Sequence, residues 1–168
     1  YLVGIFEVTY QSNYAIANPS SAAALPVVYH LVFFALLAGY LAKKKTETGY
    51  QGATLIAVIN IILFAFWFTY YSFSEHTEIM IFGTGKPIAF YLHYISLLII
   101  IYFGFLLYKM NSEKLVFSMF SKKFFAWTAA FLVIYIASTE LMIHGLKLLN
   151  SPVTIDEIHQ SDSFKIDK

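Results

Sequence analysis

The sequence contains no cysteine and no arginine. Without cysteine, the protein cannot form disulfides, thiol nucleophiles, iron–sulfur clusters or cysteine-ligated zinc sites. All 11 basic residues are lysines, so the bidentate guanidinium clamp is absent and any anion site must use lysine or the backbone. The net charge of +1 provides no global field that would attract nucleic acid, and we expect no nucleic-acid partner.

Charged residues of both signs are scarce, at 12% of the chain, whereas hydrophobic residues make up 59%. A soluble fold of this composition would expose large apolar patches. A helix that crosses the bilayer needs about 20 mostly apolar residues, and four runs meet this requirement: 22–42, 52–72, 88–108 and 124–146. We therefore predict an all-α, polytopic transmembrane bundle of about four spanning helices, with the lipid bilayer as its partner.

Two further segments flank the predicted four-helix region at 22–146. Residues 1–21 are apolar at first but are interrupted by Glu7 and are too short to span alone, so we interpret them as an outer segment or as the outer end of a preceding helix. Pro19, followed by two serines, predicts the start of the first spanning helix. Residues 147–168 form a polar tail. Together these features predict a fragment of a longer array, with neighbouring transmembrane helices of the same chain as further partners.

The distribution of lysines predicts the orientation of the bundle. Short loops that are rich in lysine or arginine remain in the cytoplasm. The 43–51 and 109–123 gaps hold seven of the 11 lysines, whereas the 73–87 loop holds only Lys86. We therefore expect 43–51 and 109–123 to be cytoplasmic, and the 73–87 loop and the 147–168 tail to lie outside.

Four ionisable residues lie within the predicted spans at similar depth, near the outer interface: His30, His93, Glu140 and His144. A central charge costs about 2.5–3.5 kcal/mol on insertion scales, so such residues suggest a function. In one interpretation, Glu140 and His144 pair on one helix face while the histidines bond to water or backbone. In the other, Glu140, His144 and one or both remaining histidines form an internal site that binds a divalent metal or relays protons.

Asn60 is a strongly polar side chain deep in the second predicted span. We expect it to bond across to a neighbouring helix, with contact to a substrate as the alternative. The chain lacks the H-E-x-x-H pattern of zinc proteases. No cofactor is therefore predicted, and zinc bound by the four ionisable residues is kept as an alternative.

Two stretches carry a resemblance to a known family. WTAAFLVIYIASTELMIHGLKLLN, which follows a lysine-rich loop, and the earlier YHLVFFALLAGYLAKKK resemble parts of large, many-span bacterial inner-membrane proteins catalogued as a domain of unknown function. The resemblance implies an interior piece of a longer helical array in the inner membrane. It implies no catalytic residues.

Two functions are consistent with the sequence. The favoured hypothesis is a non-enzymatic, multi-pass module of the bacterial inner membrane, either a transport component or a scaffold, because no recognised catalytic constellation is present. The alternative is a membrane-embedded enzyme that acts on a lipid or envelope substrate at the outer face through Glu140 and His144. This alternative depends on the shared depth of the polar residues.

Overall fold

The structure is a computed structural model that describes residues 1–82, 87–112 and 122–149. These residues form only helices, with no strand among them, which confirms the predicted all-α fold. The elements are α1 (Leu2–Ala15), α2 (Pro19–Lys43), α3 (Glu47–Leu63), a π-helical segment (Phe64–Phe68), α4 (Thr69–Phe82), α5 (Ile88–Ser112) and α6 (Lys122–Leu149). The chain passes from α3 through the π-helical segment into α4 without leaving a helical conformation.

Three stretches of helix in the described part of the chain are long and apolar enough to cross a membrane: Pro19–Lys43, Glu47–Glu75 and Ile88–Met110. Each contains the whole of one of the first three predicted spans. The fourth predicted span, 124–146, lies in α6, whose apolar stretch Ala126–Met142 is shorter. Length and composition therefore indicate a membrane protein, and the fourth crossing remains a prediction.

The predicted helix start at Pro19 is confirmed, but its cap is not a serine. Asn18 is the N-cap residue, and its side-chain oxygen accepts a hydrogen bond of 2.8 Å from the backbone N–H of Ser21. Pro19 occupies the first turn, where its missing N–H has no intrahelical partner to lose. The hydroxyl groups of Ser20 and Ser21 are therefore free to bond to α4, as described below.

The segment 1–21 contains a helix of its own, α1, which folds back along the N-terminal half of α2. The Tyr1 hydroxyl lies 2.6 Å from Nδ1 of His30. Near the same point, a Cβ atom on Gly4 would lie only 2.1 Å from the hydroxyl of Tyr29. A larger residue at position 4 would therefore have to displace the Tyr29 ring for α1 to approach α2 this closely.

The predicted cytoplasmic loop at 43–51 is much shorter than expected. Helix α2 ends at Lys43 and α3 already begins at Glu47. Lys45 adopts a left-handed conformation with φ of 52°, which reverses the chain, and Thr46 caps α3 by accepting a 3.1 Å bond from the N–H of Gly49. Gly49 lies within α3. A Cβ atom at this position would be 2.7 Å from the carbonyl oxygen of Leu41, so glycine allows α3 to pack tightly against the end of α2.

The predicted outer loop at 73–87 is also wrong in extent, because α4 remains helical as far as Phe82. The polar composition of 73–78 is typical of a loop, yet Ser74, Glu75 and Glu78 each bond to residues outside α4. Glycine first interrupts this stretch at Gly83, which lies in the 83–86 segment outside the described residues. At the other end of the bundle, α5 extends to Ser112 and α6 starts at Lys122, so only 113–121 of the predicted 109–123 loop lies outside the described residues.

The core lies where α2, α3 and α5 meet. Small buried side chains, Ala38 on α2 and Ala53 and Ala57 on α3, let the backbones approach closely, as small residues do in membrane bundles. Phe64 and Phe103 are fully buried and fill the remaining space. The outer faces carry exposed apolar residues such as Leu36, which suits contact with lipid.

Candidate functional site

The first contact of the site joins α5 to α6. Nε2 of His93 pairs with a carboxylate oxygen of Glu140. The His93 side chain is only 3% exposed and that of Glu140 is 18% exposed, so the pair is largely removed from solvent. Sequence depth alone predicted that these residues lie at the same level, and the structure places them in contact.

The second contact brings His144 and Tyr94 into the same site. Nδ1 of His144 lies 2.7 Å from the backbone carbonyl oxygen of Glu140. A carbonyl oxygen can only accept, so Nδ1 must carry the proton of the neutral ring. The Tyr94 hydroxyl, 2.7 Å from Nε2 of His144, is then the donor to that nitrogen. Tyr94 was not predicted, because nothing in the sequence indicates which face of α5 turns toward His144.

These contacts form one polar network, Tyr94–His144–Glu140–His93, which we call the α5–α6 network. Within it, Nδ1 of His144 lies 3.8 Å from the carboxylate of Glu140, which is beyond hydrogen-bond distance. The side chain of His144 is 42% exposed, whereas that of His93 is 3% exposed. The network therefore leads from the surface of the bundle to its interior.

The π-helical segment supports the buried end of the network. The ring of Phe64 stacks on His93, with centroids 5.3 Å apart and planes at 25°. Thr69 closes the segment: its N–H bonds to the carbonyl of Phe64, five residues back, and its hydroxyl donates to the carbonyl of Ala65 at 3.1 Å. Such π-helical turns are rare and often occur at functional sites.

A small cavity of about 10 Å³ adjoins His93. Phe64, Phe68, Ser72 and Ser96 are among the residues that line it. This volume is about the minimum that holds one water molecule. The cavity is far too small for a lipid or envelope substrate, so a substrate of that size could reach only the exposed end of the network at His144.

His30, the remaining candidate, is not part of the α5–α6 network. It lies between α1 and the π-helical segment, where it bonds to Tyr1 and contacts the rings of Phe34 and Phe68. Its buried Nε2 atom is left to interact with the side chain of Asn60 on α3. Similar depth in the sequence therefore brought His93 and the α6 residues together but did not include His30.

Asn60 is buried in α3 and makes two contacts. Its side-chain N–H donates to the carbonyl of Ile56 in its own helix at 2.8 Å, a carbonyl that lies one turn away. Its side chain also interacts with His30 on α2, where Oδ1 of Asn60 and Nε2 of His30 are both buried and have no other partner among the described residues. This second contact is with a neighbouring helix, as the sequence predicts.

The arrangement favours proton chemistry over metal ligation. Among the described residues, no three His, Asp or Glu side chains are grouped so that they could hold a metal ion. Nε2 of His93 points to Glu140, whereas Nε2 of His144 points to Tyr94, so these nitrogens face different partners. The zinc hypothesis for His30, His93, Glu140 and His144 gains no support from this geometry.

A second polar cluster, which the sequence did not predict, holds α2, α4 and α5 together. Glu75 on α4 is fully buried, and its carboxylate accepts 2.8 Å bonds from the backbone N–H groups of Ala89 and Phe90 in the first turn of α5. The Ser21 hydroxyl on α2 donates to the same carboxylate. Glu75 thus caps α5 from another helix, in a position where the macrodipole favours negative charge.

Glu78, one turn further along α4, contacts the start of α2 through side chains instead of backbone N–H groups. Its carboxylate accepts bonds of 2.7 Å from the Asn18 amide and 2.9 Å from the Ser20 hydroxyl. A sequence signal for the Glu75 contact did exist. Lys86 and Pro87 precede α5, so no Ser, Thr, Asp or Asn stands there to cap its first N–H groups, and an acceptor from elsewhere is required.

No family model, curated protein or solved structure matches this chain. The resemblance to the many-span inner-membrane family therefore remains a prediction, and the functional argument depends on the geometry alone.

Proposed function

We propose that this protein is a multi-pass transport component of the bacterial inner membrane in which the α5–α6 network moves protons between the surface and the interior of the bundle. The observation that carries the proposal is the series of titratable groups from Tyr94 to His93, in which two hydrogen bonds flank one 3.8 Å gap between His144 and the Glu140 carboxylate. Ionisable side chains inside membrane helices are costly and commonly serve as proton relays. A purely structural contact between α5 and α6 would need neither histidine.

The hydrogen bonds define how a proton would move. His144 accepts a proton at Nε2, on its Tyr94 side, and becomes an imidazolium. Its Nδ1 proton then passes to the Glu140 carboxylate after the ring moves from the backbone carbonyl to the side-chain oxygen, which is 3.8 Å away. The protonated carboxyl group can donate to Nε2 of His93 once that ring carries its own hydrogen on Nδ1 instead of Nε2, and the imidazolium so formed then releases its Nδ1 proton. His93 adjoins a cavity with room for about one water molecule.

Replacing Glu140 with glutamine tests the relay. The amide keeps the size of the side chain but cannot carry a proton between the two histidines, so we expect proton flux to fall at least tenfold. Flux is measured in proteoliposomes with an internal pH dye under an imposed potential. Thr139→Val is the matched control, because Thr139 bonds only to its own helix, at the carbonyl of Tyr135. Equal proton flux in Glu140→Gln and wild type would contradict the relay and would favour the scaffold hypothesis.

The proposed orientation places the lysine-rich connections in the cytoplasm and the start of α5 outside. Its support is the location of Lys43, Lys44 and Lys45 at the end of α2, opposite the α4–α5 connection. In this orientation, the α5–α6 network and the Glu75 cluster both lie toward the outer side.

Single cysteines test this orientation against a background that has no native cysteine. Thr48 is exposed in the first turn of α3 and avoids the capping residue Thr46, and Thr84 lies between α4 and α5. We expect Thr48→Cys to react with a membrane-impermeant maleimide only after the membrane is opened, and Thr84→Cys to react in intact spheroplasts. Labelling of both from the same side would contradict the proposed topology.

The alternative function is a membrane enzyme that acts on a lipid or envelope substrate at the outer face. The exposure of His144 favours this candidate, because the Glu140 carbonyl holds its ring in one tautomer, as is suitable for a general base. A His144→Gln variant that keeps proton flux but loses product formation from a lipid extract would favour the enzyme over the transporter.

A further inference from the structure

An open groove of about 290 Å³ runs between α2 and α5 on the outer surface of the bundle. Every residue that lines it is apolar or aromatic: Val32, Ala35, Leu36, Ile95, Leu98, Ile99 and Tyr102. In a membrane protein this surface faces hydrocarbon, where a groove of this size is filled by an acyl chain or by another helix. None of its residues belongs to the α5–α6 network.

The groove leads toward a cluster of positive charge. Beyond the groove, Lys43 ends α2 and is followed directly by Lys44 and Lys45, and all three lysines are exposed. From Val32 to Lys44 is about 18 Å at 1.5 Å per residue, close to the thickness of one hydrocarbon leaflet of about 15 Å. A lipid whose phosphate lies beside these lysines would therefore place its acyl chain along the groove.

Two aromatic side chains connect the groove to the lysines. The hydroxyl of Tyr102 lies so close to α2 that a Cβ on Gly39 would be 2.6 Å from it, so Gly39 provides the notch in which Tyr102 packs. The residue after Gly39 is Tyr40, and Nζ of Lys44 lies 4.8 Å from the centroid of its ring. This cation–π contact holds the ammonium group beside the exposed face of α2.

We propose that this groove binds one anionic phospholipid, with an acyl chain between α2 and α5 and the phosphate beside Lys43, Lys44 and Lys45. The charge of the lysines favours an anionic lipid over an apolar neighbouring helix, because a phosphate complements three adjacent ammonium groups and an apolar helix does not. Basic pockets beside membrane helices recognise anionic headgroups in this way. With no arginine in the chain, the recognition depends on charge more than on a bidentate geometry.

The test is lipid retention by the purified protein in detergent, measured by native mass spectrometry with added phosphatidylglycerol or phosphatidylcholine. We expect wild type to retain one phosphatidylglycerol in preference to phosphatidylcholine. Replacing all three lysines with glutamine should weaken retention of phosphatidylglycerol by roughly a hundredfold, at about fivefold for each charge. Retention of phosphatidylcholine should not change. The measurement does not depend on how the protein is oriented in a membrane.

A second variant tests the groove itself. Ala35→Leu fills the groove without changing the charge, and we expect it to lower retention of both lipids. Ala129→Leu on α6 is the control for the same substitution outside the groove, at an alanine that is exposed. Unchanged retention in Ala35→Leu, or equal retention of the two lipids by wild type, would overturn the proposal.

Discussion

Replacing Glu75 with alanine should lower the free energy of unfolding by about 3–5 kcal/mol, because it removes an acceptor that three buried donors share. The N–H groups of Ala89 and Phe90 would lose their partner in the first turn of α5, as would the Ser21 hydroxyl. Water cannot replace the carboxylate, since Glu75 is fully buried. Hydrogen bonds to a charged acceptor are also about twice as strong as neutral ones.

Glu75→Gln should be damaging as well, although it preserves the shape of the side chain. Both carboxylate oxygens accept from a backbone N–H, whereas an amide would turn its NH₂ group toward one of these donors. Glu47→Ala is the control, because Glu47 is an exposed acidic residue in the first turn of α3 and should change stability by less than about 0.5 kcal/mol.

Stability is measured by unfolding in mixed micelles, and hydrogen exchange at Ala89 and Phe90 reports the local effect. Faster exchange at these two amides, with less change elsewhere, is the expected pattern in Glu75→Gln. A Glu75→Ala protein as stable as Glu47→Ala would show that the cap contributes nothing.

The helices could be predicted from the sequence because their cause is local. Runs of apolar residues and the Pro19 start define α2 and most of α3 and α5 without knowledge of the packing. The limits of the polar connections could not be predicted in the same way. Ser74, Glu75 and Glu78 resemble loop residues until their partners on α2 and α5 are known, and those partners come from 14 to 60 positions away.

For the candidate site, the sequence could predict the depth of the residues in the bilayer but not which of them are in contact. Counting residues from the outer interface placed His93 and Glu140 at one level, and they are in contact. The same count also included His30, which instead faces α1 and Phe68. Depth follows from the rise per residue of a helix, whereas contact also requires the rotation of each helix about its axis, which packing determines.

The π-helical segment illustrates a feature that no sequence pattern predicted. FAFWF lies inside an uninterrupted apolar run and carries no glycine or proline. The extra residue in this turn changes the direction of the side chains that follow. Phe64, at the start of the segment, stacks on His93, and Phe68, at its end, contacts His30. Thr69 stabilises the turn through its hydroxyl, but a threonine in a membrane helix commonly bonds to its own backbone.

Phe64→Ala should therefore have a large effect, with a loss of about 3 kcal/mol in stability and a loss of order around His93. Phe64 is fully buried and packs against core residues of α2, α3 and α5. In a bilayer the unfolded side chain also contacts hydrocarbon, so the loss arises from the cavity and the missing packing contacts more than from transfer out of water. The measurement is unfolding in mixed micelles, together with the NMR line widths of the His93 ring.

Phe66→Ala is the matched control, because it removes the same side chain from the same segment at a position that is 57% exposed. We expect it to cost less than about 1 kcal/mol and to leave the His93 signals unchanged. Phe64→Leu separates two contributions, since it restores most of the volume but not the ring that stacks on His93. If Phe64→Leu recovers stability while the His93 ring remains disordered, stacking orients the histidine toward Glu140. Equal effects of Phe64→Ala and Phe66→Ala would instead mean that the π-helical segment does not support the α5–α6 network.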